Sequence, residues 1–563
     1  AHSPRLSPWA QRVLATSDCG HGCASNVGAP GYRDCMTSGP VLDAVLLDAT
    51  QMAVLEADET SHLSVVGAPG SGKTTTLIEM LARRVLVDGL RTTEVLALTP
   101  DRRSAARLRE SIAERLAVST PGAMARTPES LAFEIVRADR ARRGLQAPQL
   151  LTGADEDTIL AELIQSDLEA RAATVRERLH AAPIEWASPV TPETIGLRGF
   201  RAELRDLLAA MSEYDVTPER LEELAHLRPV WSGAAAVARQ FRESIEQAKP
   251  NAFDTPGIVL EAASLVHSAA SLDAFAELKL LLVDDVQEFT ESGRRLLAAF
   301  ALRGVRIVSF GDPDITTGGF RGSRPELAAD WRGETRGALA APIRLVLGTV
   351  HRGGAELRAF VRRVTEGIGV QRESGHRGAD AARAGASAAA ARTPAAPPTV
   401  ARFSATSAAA ECRGIADYLR ELHLLHDVPW DDMAVITRRG GSIESLRRQL
   451  AKLEVPTSSS QALPAARDKA VQAVVRLAAI ASGADELTPE AIAELAASPV
   501  FAIDPVQLRR VRRALRLDEI AAGGNRAADE LLVEAVSRVA GLRLLTDPDA
   551  PVSATFERLL ATG

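Results

Sequence analysis

Long hydrophobic runs are missing from this chain. No stretch approaches the ~18 uninterrupted apolar residues that a membrane-spanning helix needs, so a membrane span is not supported. A signal peptide is missing too: residues 1–39 carry no basic stretch followed by an apolar one, and the chain reads as cytoplasmic. Cysteine is scarce, four in 563 residues, which excludes a disulfide framework for a chain of this size. Three of the four, Cys19, Cys23 and Cys35, sit with His21 in an aperiodic stretch of Gly, Ser, Pro and Asn. These ligand types suit zinc, but the composition favours an unstructured leader over residues 1–40 with incidental cysteines. An excess of positive charge is also absent. The formal net charge of -7 argues against a protein that coats nucleic acid with its whole surface, while leaving room for a local groove lined by Arg and Lys. There is no internal repeat and no nuclease signature.

What is present is an ordinary globular composition, 46% hydrophobic and 25% charged, on a chain long enough for two to four domains. From residue 41 onward the texture is globular. A short helical stretch over 46–57 leads to an apolar strand at 63–66, a Gly-rich turn, and a helix over 74–86 with Leu77, Leu81 and Val85 on one face. A strand at 95–98 and an Arg- and Ala-rich helix over 102–116 follow. This alternation predicts an α/β fold with a parallel sheet and crossover helices. Residues 138–262 are mostly helical, broken by prolines, and read as an insertion between strands. The sheet resumes at 278–283 and 305–310. The Ala-rich segment 379–399 has no apolar face and reads as a flexible linker. Beyond it, a strand near 400–403, a helix over 408–424 and a strand at 433–437 predict a new α/β unit.

The most specific signal is Gly67-Ala68-Pro69-Gly70-Ser71-Gly72-Lys73-Thr74, followed by Thr75. It matches G-x-x-x-x-G-K-[ST] between a strand and a helix. The glycines let backbone N–H groups cradle a phosphate, Lys73 reaches the β- and γ-phosphates, and the Thr74 hydroxyl binds Mg²⁺. Such a loop needs an acidic partner at the end of a neighbouring strand, and Lys279-Leu280-Leu281-Leu282-Val283-Asp284-Asp285 supplies it. Asp284 is placed to hold the metal through water, and Asp285 to orient or deprotonate an attacking water. These residues by themselves support a nucleoside triphosphatase with Mg²⁺, of unknown purpose; ATP as the nucleotide comes only with the resemblance that follows.

Further segments, collinear over about 46–456, resemble the UvrD/Rep/RecB-like superfamily 1 DNA helicases, in particular the N-terminal half of actinobacterial AdnA/AdnB-type helicase–nuclease subunits. Leu47-Asp48-Ala49-Thr50-Gln51 resembles the family's Q motif, which implies an adenine contact for Gln51. Leu96-Ala97-Leu98-Thr99-Pro100-Asp101-Arg102-Arg103 resembles motif Ia, and Thr127-Pro128-Glu129-Ser130-Leu131-Ala132 resembles motif Ib. They imply contacts to single-stranded DNA from Thr99, Pro100, Arg102 and Ser130. Glu129 stands where the family usually has His, and a plain helix cap explains this short match equally well.

Asp284-Asp285-Val286-Gln287 is similar to the D-E-x-Q of motif II, implying catalytic roles for Asp285 and Gln287 beside Lys73. Asp in place of Glu shortens the base by one methylene. Gly311-Asp312-Pro313-Asp314-Ile315-Thr316-Thr317-Gly318-Gly319-Phe320-Arg321-Gly322 resembles motif III, G-D-x-x-Q-x-I-Y-x-F-R-G. That implies a base-stacking role for Phe320 and a DNA contact for Arg321. Ile315 replaces the γ-phosphate-sensing Gln and Gly318 replaces Tyr. Leu347-Gly348-Thr349-Val350-His351-Arg352 resembles motif IV, with His351 implied to stack on adenine and Arg352 to contact the γ-phosphate.

The resemblance implies a P-loop RecA-like motor domain in two parts, 41–137 and 263–370, interrupted by the helical insertion 138–262. A flexible linker over 371–399, the start of a second RecA-like domain over 400–456 and an incomplete helical insertion over 457–563 complete the expectation. The implied activity is ATP-dependent 3′-to-5′ translocation or unwinding in DNA recombination and repair. Implied partners are single-stranded DNA, DNA ends and a second helicase–nuclease subunit. The alternative is a catalytically weak ATP- and DNA-binding scaffold subunit of such a complex. Motifs V and VI, the latter the source of an arginine finger, have no counterpart before Gly563. The chain is therefore expected to be a piece of a longer protein or a form that lost that half.

Overall fold

The computed structural model describes residues 45–118, 120, 122–172, 183–268, 275–319, 322–370, 373–381, 400–458 and 468–537. The chain divides into two units, 1–401 and 402–563.

In the first unit the short helix α1 (Ala49–Glu56) begins at a capping box: the Asp48 carboxylate accepts from the Gln51 backbone, and the Gln51 side chain accepts from the Asp48 N–H. Strand β1 (Leu63–Gly67) leads into α2 (Lys73–Leu86). Strand β2 (Val95–Leu98) leads into α3 (Arg102–Leu116), which is capped by the Asp101 carboxylate. A two-residue strand, β3 (Ala125–Arg126), precedes α4 (Pro128–Arg142), which has Thr127 as its cap and Pro128 at the first helical position. The helical insertion follows. It is bracketed by a small parallel ladder between β4 (Gln149–Leu150) and β5 (Ala252–Phe253). Its own apolar cluster includes Leu160, Ile195, Leu204, Ala235 and Val237.

The main sheet resumes with β6 (Leu280–Val283), β7 (Arg306–Gly311) and β8 (Ile343–Leu347). Its six strands run in the order β3-β2-β6-β7-β1-β8, with every pairing parallel. The four inner strands are buried along their length, which is why they read as near-continuous apolar runs.

The two-residue period of a strand sorts these side chains cleanly. Val95, Ala97, Leu280, Leu282, Val308 and Phe310 pack with Leu77, Met80, Leu81, Leu108 and Ile112 of α2 and α3. Leu96, Leu98, Leu281, Val283 and Ile307 pack on the opposite face. There they meet Leu131 and Ile135 of α4, Ile258 and Val266 of Thr255–His267, and Leu296 and Phe300 of Glu291–Leu302. Each such fully buried Leu, Ile or Phe stabilises the layer by roughly 1.5–3 kcal/mol. The fold is thus the expected mixed α/β type, a parallel sheet covered by helices on both faces. The helix Thr255–His267, whose first part was expected to lie in the insertion, packs into this main core instead. Among the described residues no helix is long and apolar enough to cross a membrane.

Two expectations fail. Residues 373–381, placed in the linker, are folded. Gly375–Gly378 form a 3₁₀ turn, and Asp380–Ala381 pair in parallel with Thr349–Val350. His376 in this turn is 1% exposed and Ala379 is 4% exposed. Composition alone hid this order, because it comes from contacts with residues far away in sequence. In the second unit, neither 400–403 nor 433–437 forms a strand. The regular elements among that unit's described residues are all helices, with Cys412, Ala416, Leu419, Leu450 and Val455 in one small core. Ile436 is 92% exposed. A β-branched run without neighbouring strands has nothing to pair with and no buried face to fill. The leader with its cysteines, 1–40, and the segment 538–563 lie outside the described residues.

Candidate nucleotide site and nucleic-acid face

The residues of the phosphate loop and the acidic pair gather at the carboxyl ends of the parallel strands, where ligands bind in open α/β sheets. The Gly-rich loop runs from the end of β1 to the start of α2. Gly70 and Gly72 have φ of 81° and 83°, a left-handed conformation that costs glycine nothing. At Gly72 a side chain is excluded twice over, because a Cβ there would lie 2.3 Å from the Gln51 amide nitrogen. Lys73 is 9% exposed, and its Nζ donates to the carbonyls of Gly67 at 2.8 Å and Ala68 at 3.3 Å. Lysine thus lies folded back along its own loop, beside the position a phosphate would take.

β6 delivers the acidic pair. Asp284 is 7% exposed, and its Oδ2 accepts a 2.8 Å hydrogen bond from the Thr74 hydroxyl. Burial, reinforced by the neighbouring charge of Asp285, pushes the Asp284 carboxyl up to about 6. Its Oδ1 and the Ser71 hydroxyl are buried without a hydrogen-bond partner among the described residues. A buried carboxylate oxygen left unpaired beside a threonine hydroxyl suits a hard divalent cation with oxygen ligands, so these residues fit Mg²⁺ on a bound nucleotide. Asp285 adopts a left-handed φ of 48°. Its Oδ1 accepts from Gln287 Nε2 at 3.1 Å, while Gln287 Oε1 accepts from the Asp312 N–H at 3.0 Å. Gln287 therefore bridges the ends of β6 and β7.

Motif IV residues come in from the other side. The His351 N–H donates to the Gly70 carbonyl at 2.9 Å, and its Nε2 lies 2.9 Å from Asp48 Oδ2. Burial alone would raise Asp48. Hydrogen bonds from Thr50, Gln51 and His351 outweigh it and hold the carboxyl below the usual range. Arg352 is exposed, and it has no hydrogen bond or ion pair among the described residues. Its Cβ is 3.1 Å from where a Cβ on Gly70 would stand. Gln51 differs from expectation in its engagement. It is 3% exposed, accepts from Asp48 N–H at 3.0 Å and donates to the Ser71 carbonyl at 3.2 Å. One amide hydrogen remains for a base, and the rest of the group ties α1 to the phosphate loop. Pro69 is exposed and Thr75 half-buried at the mouth of the same loop.

Of the residues expected to meet DNA, Thr99, Pro100, Arg102 and Ser130 lie past β2 and β3, across β6 and β7 from the phosphate loop. Thr99 is 1% exposed, and its N–H donates to the Arg126 carbonyl at 3.0 Å. Pro100 is half-buried, so Arg102, exposed at the start of α3, offers the accessible charge. Ser130 is exposed in the first turn of α4, with its N–H donating to Thr127 Oγ1 at 3.2 Å, as in a plain helix cap. Phe320 and Arg321 lie outside the described residues.

Sequence reasoning passed over Glu288, whose carboxylate accepts from Thr317 N–H at 2.6 Å and Gly318 N–H at 3.0 Å. This anchors the loop after β7. Its position directly after Asp-Asp-Val-Gln was the one available signal. His376 and Arg377, which pair with Asp314, carried no local signal at all.

No curated protein matches the chain. The family description of the UvrD/REP helicase N-terminal domain matches residues 47–334, just over half of the chain and the whole span from the Gln51 helix through the loop after β7. With the phosphate loop, the acidic pair and the parallel sheet in one arrangement, the chain belongs to the UvrD/REP helicase family.

Proposed function

We propose that the protein is a cytoplasmic ATPase that uses hydrolysis to move along single-stranded DNA, 3′ to 5′, in recombination and repair. The observation that carries this reading is the Thr74–Asp284 hydrogen bond beside the buried Lys73. This is the arrangement a P-loop ATPase needs around the β- and γ-phosphates. Bound Mg²⁺ would supply charge neutralisation at the transferring phosphoryl group. Thr74 and Asp284 would hold it, Lys73 would neutralise the phosphate oxygens, and Asp285, steadied by Gln287, would orient water. Arg352, exposed beside the loop, is free to reach the γ-phosphate, and His351 to stack on adenine. Arg102, Ser130, Phe320 and Arg321, with the Thr99–Pro100 backbone, would follow the DNA strand without reading its sequence. The likeness to AdnA/AdnB-type subunits adds a second helicase–nuclease subunit and DNA ends as partners.

Ile315 favours a second reading. A side chain that cannot hydrogen-bond stands at the expected γ-phosphate-sensing position, as suits a weakly catalytic scaffold subunit that binds ATP and DNA beside a stronger motor. The test is ATP turnover with and without single-stranded DNA, with Lys73→Ala as control. Stimulation by DNA that vanishes in the variant supports the motor. Nucleotide binding without stimulated turnover, alone and with a partner subunit, sinks it and leaves the scaffold.

A further inference from the structure

Asp312 and Asp314 follow β7, and both side chains are 1% exposed. The groups facing them come from the folded turn 375–378. His376 Nε2 lies 2.9 Å from Asp314 Oδ2 and 3.3 Å from Asp312 Oδ1. Arg377 grips both oxygens of Asp314, at 2.7 and 2.6 Å. Two carboxylates are balanced by one guanidinium and one imidazolium, so the cluster is neutral when His376 carries its proton. Arg358, on the helix Ala355–Glu366, donates to the carbonyls of His376, Arg377 and Ala379, with Asp380 as a further nearby charge. A metal ion held by Asp312, Asp314 and His376 would have to displace Arg377 from Asp314.

This cluster continues in two directions. The Asp312 N–H donates to Gln287, and Gln287 donates to Asp285. On the other side Ala379 packs against Ala68 of the phosphate loop and Val350. The segment 373–381 is therefore fastened both to the acidic pair and to the phosphate loop.

We propose that His376 and Arg377 are positioning residues for the reaction: by clamping Asp312 and Asp314 they hold the loop after β7 and, through Gln287, set the Asp285 carboxylate. This rests on the ATPase reading above. Burial alone would strip the proton from His376, but the facing carboxylates of Asp312 and Asp314 outweigh it and raise its pKa above the ordinary value. A histidine with a raised folded pKa holds its clamp fully at lower pH and loses it as pH rises through that value.

The experiment uses the full chain and the variants His376→Ala, His376→Lys and Arg377→Ala. Turnover is measured from pH 6 to about 9.5, a range that runs from below ordinary His titration to just short of that of Lys, together with binding of a fluorescent ADP analogue and hydrogen exchange at residues 312–318. His376→Ala is expected to lower kcat about 10- to 100-fold, the scale of a slightly misplaced group, with KM little changed. The amides of Asp312 and Asp314 should exchange faster. The alkaline fall of wild-type kcat should move to higher pH in His376→Lys. An unchanged kcat and pH profile in His376→Ala, or unchanged exchange at 312–318, overturns the proposal. A wild-type protein without turnover overturns the ATPase reading instead, and hydrogen exchange then still decides whether the clamp holds the loop.

Discussion

The Thr74 hydroxyl and the Asp284 carboxylate, 210 residues apart in sequence, meet at 2.8 Å at the carboxyl edge of the sheet. The contact joins the start of α2 to the end of β6. It also buries a carboxylate that lacks a compensating positive partner at hydrogen-bond distance.

The first prediction follows from that burial. A carboxyl whose folded pKa is raised to about 6 destabilises the fold as pH rises from the unfolded value towards 6, and the cost is full above it. Asp284→Asn should therefore stabilise the metal-free protein at pH 7.5 by about 1–3 kcal/mol, while abolishing Mg²⁺-dependent turnover. Thermal melts in chelator at pH 7.5 and pH 4.5 check this, and the gain should shrink at the lower pH. A variant less stable than wild type at both values would contradict it.

Gly72 carries the second. Its φ of 83°, and the Gln51 amide nitrogen 2.3 Å from where a Cβ would stand, make Gly72→Ala cost about 1–3 kcal/mol and weaken nucleotide binding at least tenfold. Gln51→Ala added to it removes the clash but leaves the backbone strain. Binding of a fluorescent nucleotide should recover only in part; full recovery would show that strain at Gly72 is unimportant.

Gln287 accepts from Asp312 and donates to Asp285. Gln287→Glu keeps the acceptor and replaces the donor by a second negative charge. Turnover should fall about 10- to 100-fold with nucleotide affinity retained. Gln287→Ala should in addition lower stability by about 1–3 kcal/mol, because it leaves the buried Asp312 N–H unpaired. Denaturant titration separates the two effects.

Asp285 is one methylene shorter than the glutamate expected at its position. Asp285→Glu should raise the maximal rate of ATP turnover, up to about 100-fold if the carboxylate now stands about 1 Å short. A rate equal to or below wild type would mean that the left-handed backbone at Asp285 already makes up the distance.

Much of the site is legible in the amino-acid order because its signals are local. Gly70 and Gly72 announce positive φ, and Asp101 announces the helix it caps. The runs at 95–98 and 280–283 are apolar throughout because both faces of the sheet are covered. Other elements carry no such signal. β8 is an edge strand with Ile343 and Arg344 exposed, so it has neither a continuous apolar run nor a clean alternation. β3 is two residues long and shows no period.

By itself, then, the amino-acid order determined the phosphate loop, its acidic partner and the alternation that builds a parallel sheet. Each of these depends on backbone freedom or burial within a few residues. Only the tertiary structure decided that 373–381 folds, since its order comes from Asp312 and Asp314 some sixty positions earlier. It alone decided that Gln51 holds the phosphate loop, and that 433–437 pairs with no strand. Partners distant in the chain set those outcomes, and no local pattern records which charges or strands will find each other.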